Sequence, residues 1–480
     1  MFEKFDKTGR VPRGTQVQAL KWIEDNWDSR VLALNLPTGV GKSAIAKAVQ
    51  IECQESAIIV PSNILLDQYV EIYPTDNFLK GASHYTCEQV PEISCQDKKV
   101  LSRTRCPDCP YQKCRQAAID KVPTIFNPLS YHYSGMGTPK VLIIDEAHKL
   151  ISLIMLLVTQ SFRHGQYNYP KIDSSFDLLA WLYERTSDLT QEIDKAKAVG
   201  DMAKAALASR RRETTGMVIK AFREQPENFA VYEKEAHYHG KMDRYLIIEP
   251  INPPRWILRS FLPETVKIIL LSATLIEDNL LRLGLHSFKY IDFDSPIPKS
   301  RRPIKYVPAG FTMNYQTPPD KAAEYIKGIL DKHPGENTVI HVSYGWSAKL
   351  APYFPDAYVN TAENKPTVME KFKRDGGIWL AAGCAEGIDL PDDMCRVIII
   401  PFIVMGNPTD PVVSKSIALP GGQLRYYLQA ITTVIQQAGR GSRSETDFCV
   451  TYIGDSKFPN LVLKFKKYLP KSFLSAIQWR

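Results

Sequence analysis

A short apolar run, Val31–Asn35, leads straight into Leu36-Pro37-Thr38-Gly39-Val40-Gly41-Lys42-Ser43, and a helically spaced segment, Ser43–Ile51, follows. A buried strand, a glycine-bearing loop and a helix in immediate succession leave few folds open. They form the opening step of a parallel α/β sheet. At such a junction the N–H groups of Thr38, Gly39, Val40 and Gly41 and the positive end of the helix can cradle phosphates. Lys42 can reach the outer phosphates, and the Ser43 hydroxyl is placed to ligate Mg²⁺. The strict form of the pattern has Gly at position 36, where this chain has Leu.

The strand–helix alternation continues with a helix over Thr15–Asn26, a strand at Ala57–Val60, a helix over Ile64–Val70 and a strand at Val141–Ile144. Residues 160–248 have a different texture. Leu178–Arg185 and Gln191–Leu207 carry helical spacing, and Phe229–Glu233 and Tyr245–Ile248 flank Gly240 as a hairpin. Val266–Leu271 returns to the buried-strand pattern, so 160–248 reads as an insertion. The proline- and charge-rich stretch Asp294–Lys305 reads as a linker. A second α/β set follows, with Asp320 as N-cap of its first helix. Strands are expected at Thr338–Val342, Ile378–Ala381 and Val397–Pro401, and a helix across Tyr426–Gln437.

The totals constrain less. Lys plus Arg is 60 against 52 for Asp plus Glu, a net charge of +8, compatible with a polyanionic partner. The most lipid-like run, Leu150–Val158, is far short of the roughly 20 apolar residues that span a bilayer. No signal-peptide pattern opens the sequence, so the expectation is an intracellular protein, cytoplasmic or nucleoid-associated, with no membrane partner.

Two further clusters carry chemistry. Asp145-Glu146-Ala147-His148 follows an apolar strand, where the first carboxylate can hold Mg²⁺ and the second can orient or deprotonate a water. Gln436-Gln437-Ala438-Gly439-Arg440-Gly441-Ser442-Arg443 places two arginines three apart at a helix end, able to meet one phosphate cluster across a domain cleft. A third cluster is Cys87-x7-Cys95-x10-Cys106-x2-Cys109-x4-Cys114, five of the nine cysteines. Thiolates so closely spaced converge on a soft metal. Spacing alone leaves an iron–sulfur cluster and a structural zinc equally open.

These motifs together resemble the superfamily 2 helicases, whose motor is a pair of RecA-like domains with ATP in the cleft. Arg13 and Gln16 stand where these enzymes have an adenine-reading pair. DEAH is similar to motif II, Ser272-Ala273-Thr274 to motif III and Gln436–Arg443 to motif VI. Ala385–Pro391, with Gly387 and Asp389, resembles motif V. The resemblance implies catalytic roles for Lys42, Asp145, Glu146, Gln436, Arg440 and Arg443. The cysteine block lies where the XPD/DinG branch carries an iron–sulfur domain. The resemblance therefore implies a 4Fe–4S cluster on Cys87, Cys106, Cys109 and Cys114, with Cys95 as alternative ligand and zinc as alternative metal.

The expected fold is α/β, with two RecA-like parallel-sheet domains and two insertions in the first. The first domain comprises 1–80, 121–159 and 249–295; an iron–sulfur domain occupies 81–120, a helical Arch-like insertion 160–248, and the second motor domain 296–480. The resemblance implies a monomeric ATP- and Mg²⁺-dependent helicase moving 5′→3′ on single-stranded and forked DNA. Ser62, Asn63, Tyr85, Tyr111, Ser343 and Tyr344 are the candidate nucleic-acid contacts. A remodelling ATPase without unwinding activity and a zinc-bearing RNA helicase are the rival readings.

Overall fold

The computed structural model describes residues 11–97, 109–120, 123–238, 241–384, 388, 390–442 and 446–479. Helix α1 (Gly14–Asp25) packs Ala19, Leu20 and Ile23 inward ahead of β1 (Val31–Asn35). Next come α2 (Lys42–Glu52), β2 (Ser56–Ile59), α3 (Asn63–Ile72), β3 (Asn77–Leu79) and α4 (Pro110–Asp120). Strand β4 (Thr124–Phe126), helix α5 (Pro128–Ser134) and β5 (Val141–Ile144) complete this stretch.

The insertion follows. It contains β6 (Gln160–Arg163), the long helices α6 (Ser175–Ala198) and α7 (Met202–Glu224), and the strands β7 (Phe229–Tyr238) and β8 (Lys241–Pro250). These three strands form their own antiparallel sheet in the order β6-β8-β7. The chain then returns to the first sheet through β9 (Lys267–Ser272) and β10 (Lys289–Asp292).

The first sheet has seven strands in the order β10-β1-β9-β5-β2-β4-β3, and each of its pairings is parallel. Both faces are covered, which explains the unbroken apolar runs of its strands. Val31 and Ala33 feed the core on one face, Leu32 and Leu34 the core on the other.

The second domain repeats this plan with β11 (Ile304–Tyr306), β12 (Thr338–Val342), β13 (Tyr358–Val359), β14 (Ile378–Ala382), β15 (Val397–Ile400), β16 (Val450–Ile453) and β17 (Ile477–Gln478). They are parallel in the order β13-β14-β12-β15-β16-β11-β17. Its helices include α8 (Pro319–Leu330), α9 (Tyr344–Leu350), α10 (Pro411–Ala418) and α11 (Gly422–Ala438). Val397 and Ile399 enter one core while Ile398 and Ile400 enter the other. The expected fold class, two RecA-like α/β motor sheets, is the one observed.

Several local expectations change. The two helical segments of the insertion are not separate before 191–207: α6 runs through residues 186–190 without a break. The Thr186 and Thr190 hydroxyls donate back to the carbonyls of Leu182 and Thr186, so these helix-poor residues are absorbed into the helix. The real break is at Gly200 (φ 75°), after which the Asp201 side chain caps α7 by accepting from Lys204 N–H. Asp320 is not the N-cap of α8. That position is Pro318, and Asp320 sits in the first turn, where its charge suits the helix dipole. The expected linker Asp294–Lys305 ends inside β11, which pairs with both β16 and β17.

The insertion touches both neighbours. Arg210 of α7 meets Asp97 at 2.9 Å, and Lys415 of α10 donates to the Phe229 carbonyl at 2.6 Å. Each arginine of the Arg210-Arg211-Arg212 run has a partner. Arg211 lies over the Tyr167 ring, and Arg212 donates to Thr190 Oγ1.

Candidate functional site

At the carboxyl ends of β1, β5 and β9 the first domain faces the second across a cleft of about 400 Å³. Thr38, Lys42, Glu146, His148, Thr274, Gln436, Gly439 and Arg440 are among its lining residues. Crevices at the carboxyl ends of parallel strands are where α/β sheets bind ligands.

The phosphate loop is anchored at its start, where Leu36 N–H donates to the Ser272 carbonyl of β9. It is fully buried at Leu36 and left-handed at Gly39 and Gly41 (φ 80° and 81°). Gly41 is the N-cap of α2. A side chain at position 36 is thus part of the core, and the turning is done by the later glycines. Arg13 and Gln16 hold the loop from behind. Arg13 donates to the Gly39 carbonyl at 2.8 Å, and Gln16 donates to the Val40 carbonyl at 2.9 Å. Their side-chain donors therefore go to the loop backbone, while Gln16 Oε1 accepts from Arg13 N–H.

Asp145 and Glu146 divide in environment. Burial first, and then the Glu146 charge, push Asp145 up to about 6, against the pull of Lys42 and a hydrogen bond from Tyr69. Burial also opposes the charge of Glu146, yet Lys42 and His148 hold it down to about 2. The Lys42 ammonium stands 3.0 Å from Glu146 Oε1, and His148 Nδ1 is 3.4 Å from Oε2. Glu146 adopts φ 48°, uncommon outside glycine, where β5 ends and the next turn begins. This strain aims its carboxylate at Lys42 and belongs to the set of outliers that cluster at functional sites.

His148 joins the two domains. Its Nδ1 lies 2.8 Å from Ser272 Oγ, and its Nε2 lies 3.2 Å from Gln436 Nε2 on the last turn of α11. Ser272 Oγ also accepts from Thr274 N–H, so DEAH, Ser272-Ala273-Thr274 and Gln436 form one chain of contacts. Arg440 follows and donates to the Ile388 carbonyl at 3.1 Å, with Gly439 packed against Thr38 of the phosphate loop. Arg443, Gly387 and Asp389 lie outside the described residues.

Two sequence families match this chain. Residues 10–179 match the model described as type III restriction enzyme, res subunit, and residues 330–475 the one described as helicase C-terminal domain. A probable ATP-dependent helicase of Methanocaldococcus jannaschii is 25% identical over 297 residues, which are 53% of this chain and 43% of that protein. The chain therefore spans less than half the length of this curated relative. Among solved structures, an apo XPD superposes with a TM-score of 0.63 at 16% identity, covering 95% of this chain and 98% of that one. An XPD of S. tokodaii gives 0.56 at 12% identity, with 97% and 99% covered. In sequence the chain is thus similar to helicases over part of its length, and its fold is that of the two XPD structures.

The candidate strand contacts are spread over both domains. Ser62 caps α3 by accepting from Leu65 N–H. Asn63 lies between His84 and Asn127, 2.6 Å from each. Ser343 caps α9, and Tyr344 beside it is 45% exposed. Tyr85 and Tyr111 pack on each other with ring centroids 5.5 Å apart. Tyr111 is only 3% exposed, so its ring is core and presents no open stacking face.

The cysteine block is partly described. Cys87, Cys95 and Cys109 are buried in one apolar cluster, with Cys95 and Cys109 sulfurs 3.5 Å apart. Burial, then the Cys109 contact, push the Cys95 thiol up to about 12, and Cys87 adds to the effect. Cys114 is exposed and interacts with the Tyr85 hydroxyl. Cys106 lies outside the described residues. Among the described residues no three potential ligands converge closely enough to hold an ion. Sulfur donors are what a soft metal or cluster takes, and Cys87, Cys95 and Cys109 share this one buried cluster. The 3.5 Å sulfur contact joins Cys95, the alternative ligand, to Cys109.

Proposed function

We propose that the chain is an ATP-dependent DNA helicase that translocates 5′→3′ on single-stranded DNA and unwinds forked duplex. One observation carries the reading: His148 contacts Ser272 of the first domain and Gln436 of the second through its two ring nitrogens. The nucleotide-facing residues are thereby linked to the element that must move when two motor domains close and reopen.

In this reading Thr38–Ser43 cradle the ATP phosphates, and Ser43 and Asp145 hold Mg²⁺. Glu146 positions the attacking water. Phosphate oxygens that draw the Lys42 ammonium compete for it with Glu146, 3.0 Å away. Arg440, with Arg443, stabilises charge on the transferring phosphoryl group, an interaction strongest in the transition state. Arg13, Gln16, Gly387 and Asp389 complete the nucleotide site.

A 4Fe–4S cluster on four of Cys87, Cys95, Cys106, Cys109 and Cys114 would supply a rigid, covalently pinned core to the small insertion. Ser62, Asn63, Ser343 and Tyr344 are the strand contacts we favour, since capping side chains at helix N-termini suit phosphate oxygens.

The test is strand displacement on forked DNA and RNA duplexes labelled on either arm, alongside ATP turnover. Displacement of DNA with a 5′ single-stranded arm is expected. Turnover without displacement would make the protein a remodelling ATPase, and stimulation by RNA alone would remove the DNA assignment. Anaerobically purified protein should be brown with about four irons per chain; a colourless protein with one zinc would remove the cluster.

A further inference from the structure

Helix α3 is used at both ends. Its first residues, Ser62 and Asn63, belong to the candidate strand-binding face. About 10 Å further along, at the usual rise of an α-helix, Tyr69 turns into the core and is 1% exposed. Its hydroxyl donates to Asp145 Oδ2 at 2.9 Å. The other carboxylate oxygen, Oδ1, accepts from Glu146 N–H at 2.9 Å. Each oxygen therefore has one donor, and the plane of the carboxylate is fixed by two bonds from different elements.

The helix itself is held. Tyr69 packs against Tyr73, Lys47 of α2 lies over the Tyr73 ring, and the same Lys47 pairs with Asp76 just beyond α3. Tyr69 thus cannot shift along its axis without disturbing the helix that starts at the phosphate loop.

We infer that Tyr69 is a positioning residue for the metal ion, orienting the Asp145 carboxylate through its hydroxyl and tying that carboxylate to the helix whose N-terminus faces the strand. The inference rests on the reading of Asp145 as the Mg²⁺ ligand and adds a residue outside the motifs named above. A hydrogen bond of this kind matters because metal affinity depends on the orientation of the ligand as well as its charge. Removing such a partner costs about 10-fold to 100-fold in metal affinity.

Tyr69→Phe keeps the buried ring and deletes only the hydroxyl. Mn²⁺ binding to the ADP-bound full-length chain, followed by electron paramagnetic resonance, is expected to weaken about 10-fold. ADP binding in EDTA and the thermal midpoint should stay at wild-type values. The Mg²⁺ concentration for half-maximal ATP turnover should rise by the same factor, with turnover recovering at high Mg²⁺. Wild-type Mn²⁺ affinity in Tyr69→Phe overturns the inference. So does a loss confined to Tyr69→Leu, which would assign the effect to ring packing. If the wild-type chain itself binds no Mn²⁺ with nucleotide, the fault lies in the Asp145 assignment and the inference falls with it.

Discussion

The two motor sheets have the same all-parallel construction but spend their strand ends differently. In the first, β1 ends in a loop with two left-handed glycines, and β5 ends in a strained carboxylate at Glu146. In the second, β12 ends in Ser343, an ordinary helix cap. That sheet sends its polar groups to the cleft from the end of α11 instead. In the proposed function one domain grips an anion through its backbone and the other presents side chains to it. Chemistry resides in the loops at the carboxyl edge, while the sheets make the two edges stackable.

That contrast can be broken most severely at Lys42. Lys42→Ala should lower ATP turnover by at least about 100-fold, the scale of losing a preorganised charge at a reacting phosphate. Normal turnover in a steady-state phosphate-release assay would remove the grip from the first domain. Arg440→Ala tests the presenting side. Turnover should fall about 100-fold while KM for ATP stays within about 3-fold, because the arginine acts on charge that develops in the transition state. An equal loss in nucleotide affinity would make the second domain a gripping partner as well.

A third prediction separates the domains by acid. His341 in β12 is buried at 1% exposure with neither ring nitrogen hydrogen-bonded. Burial first, then Arg440 and Lys365, hold it down to about 3. The unfolded chain takes up this proton near pH 6.5 and the folded chain does not. Its stabilising contribution is therefore complete above about pH 6.5 and is lost as pH falls toward 3, by up to about 10-fold in the unfolding equilibrium per pH unit. His341→Leu should flatten the acid limb of a denaturant-midpoint series, and an unchanged slope would reject the assignment. The smallest effect belongs to the insertion. Arg210→Ala removes the contact with Asp97, whose partner is half exposed, and should cost about 0.5–1 kcal/mol in chemical denaturation.

Sequence made the gripping edge legible because phosphate chemistry demands particular residues at fixed spacing. Asp145 and Glu146 follow β5 and Lys42 and Ser43 open α2, elements that apolar runs and helical spacing located. The short strands β3, β4, β6, β10, β11, β13, β16 and β17 escaped detection, since two to four residues carry little usable pattern. Tyr69 was invisible for a different reason. Inside an apolar helical face a tyrosine looks like core, and only the meeting of α3 with β5 reveals its partner. The same holds for Arg210, whose partner Asp97 is 113 positions away in the chain.

Gly41 has an evolutionary consequence. A Cβ there would stand 2.7 Å from Gln16 Nε2, and the backbone is left-handed as well (φ +81°). The first obstacle can be relieved by moving the Gln16 amide, which would release the Val40 carbonyl, but the second obstacle would persist. Position 41 should therefore stay glycine whatever residue stands at position 16, 25 residues away.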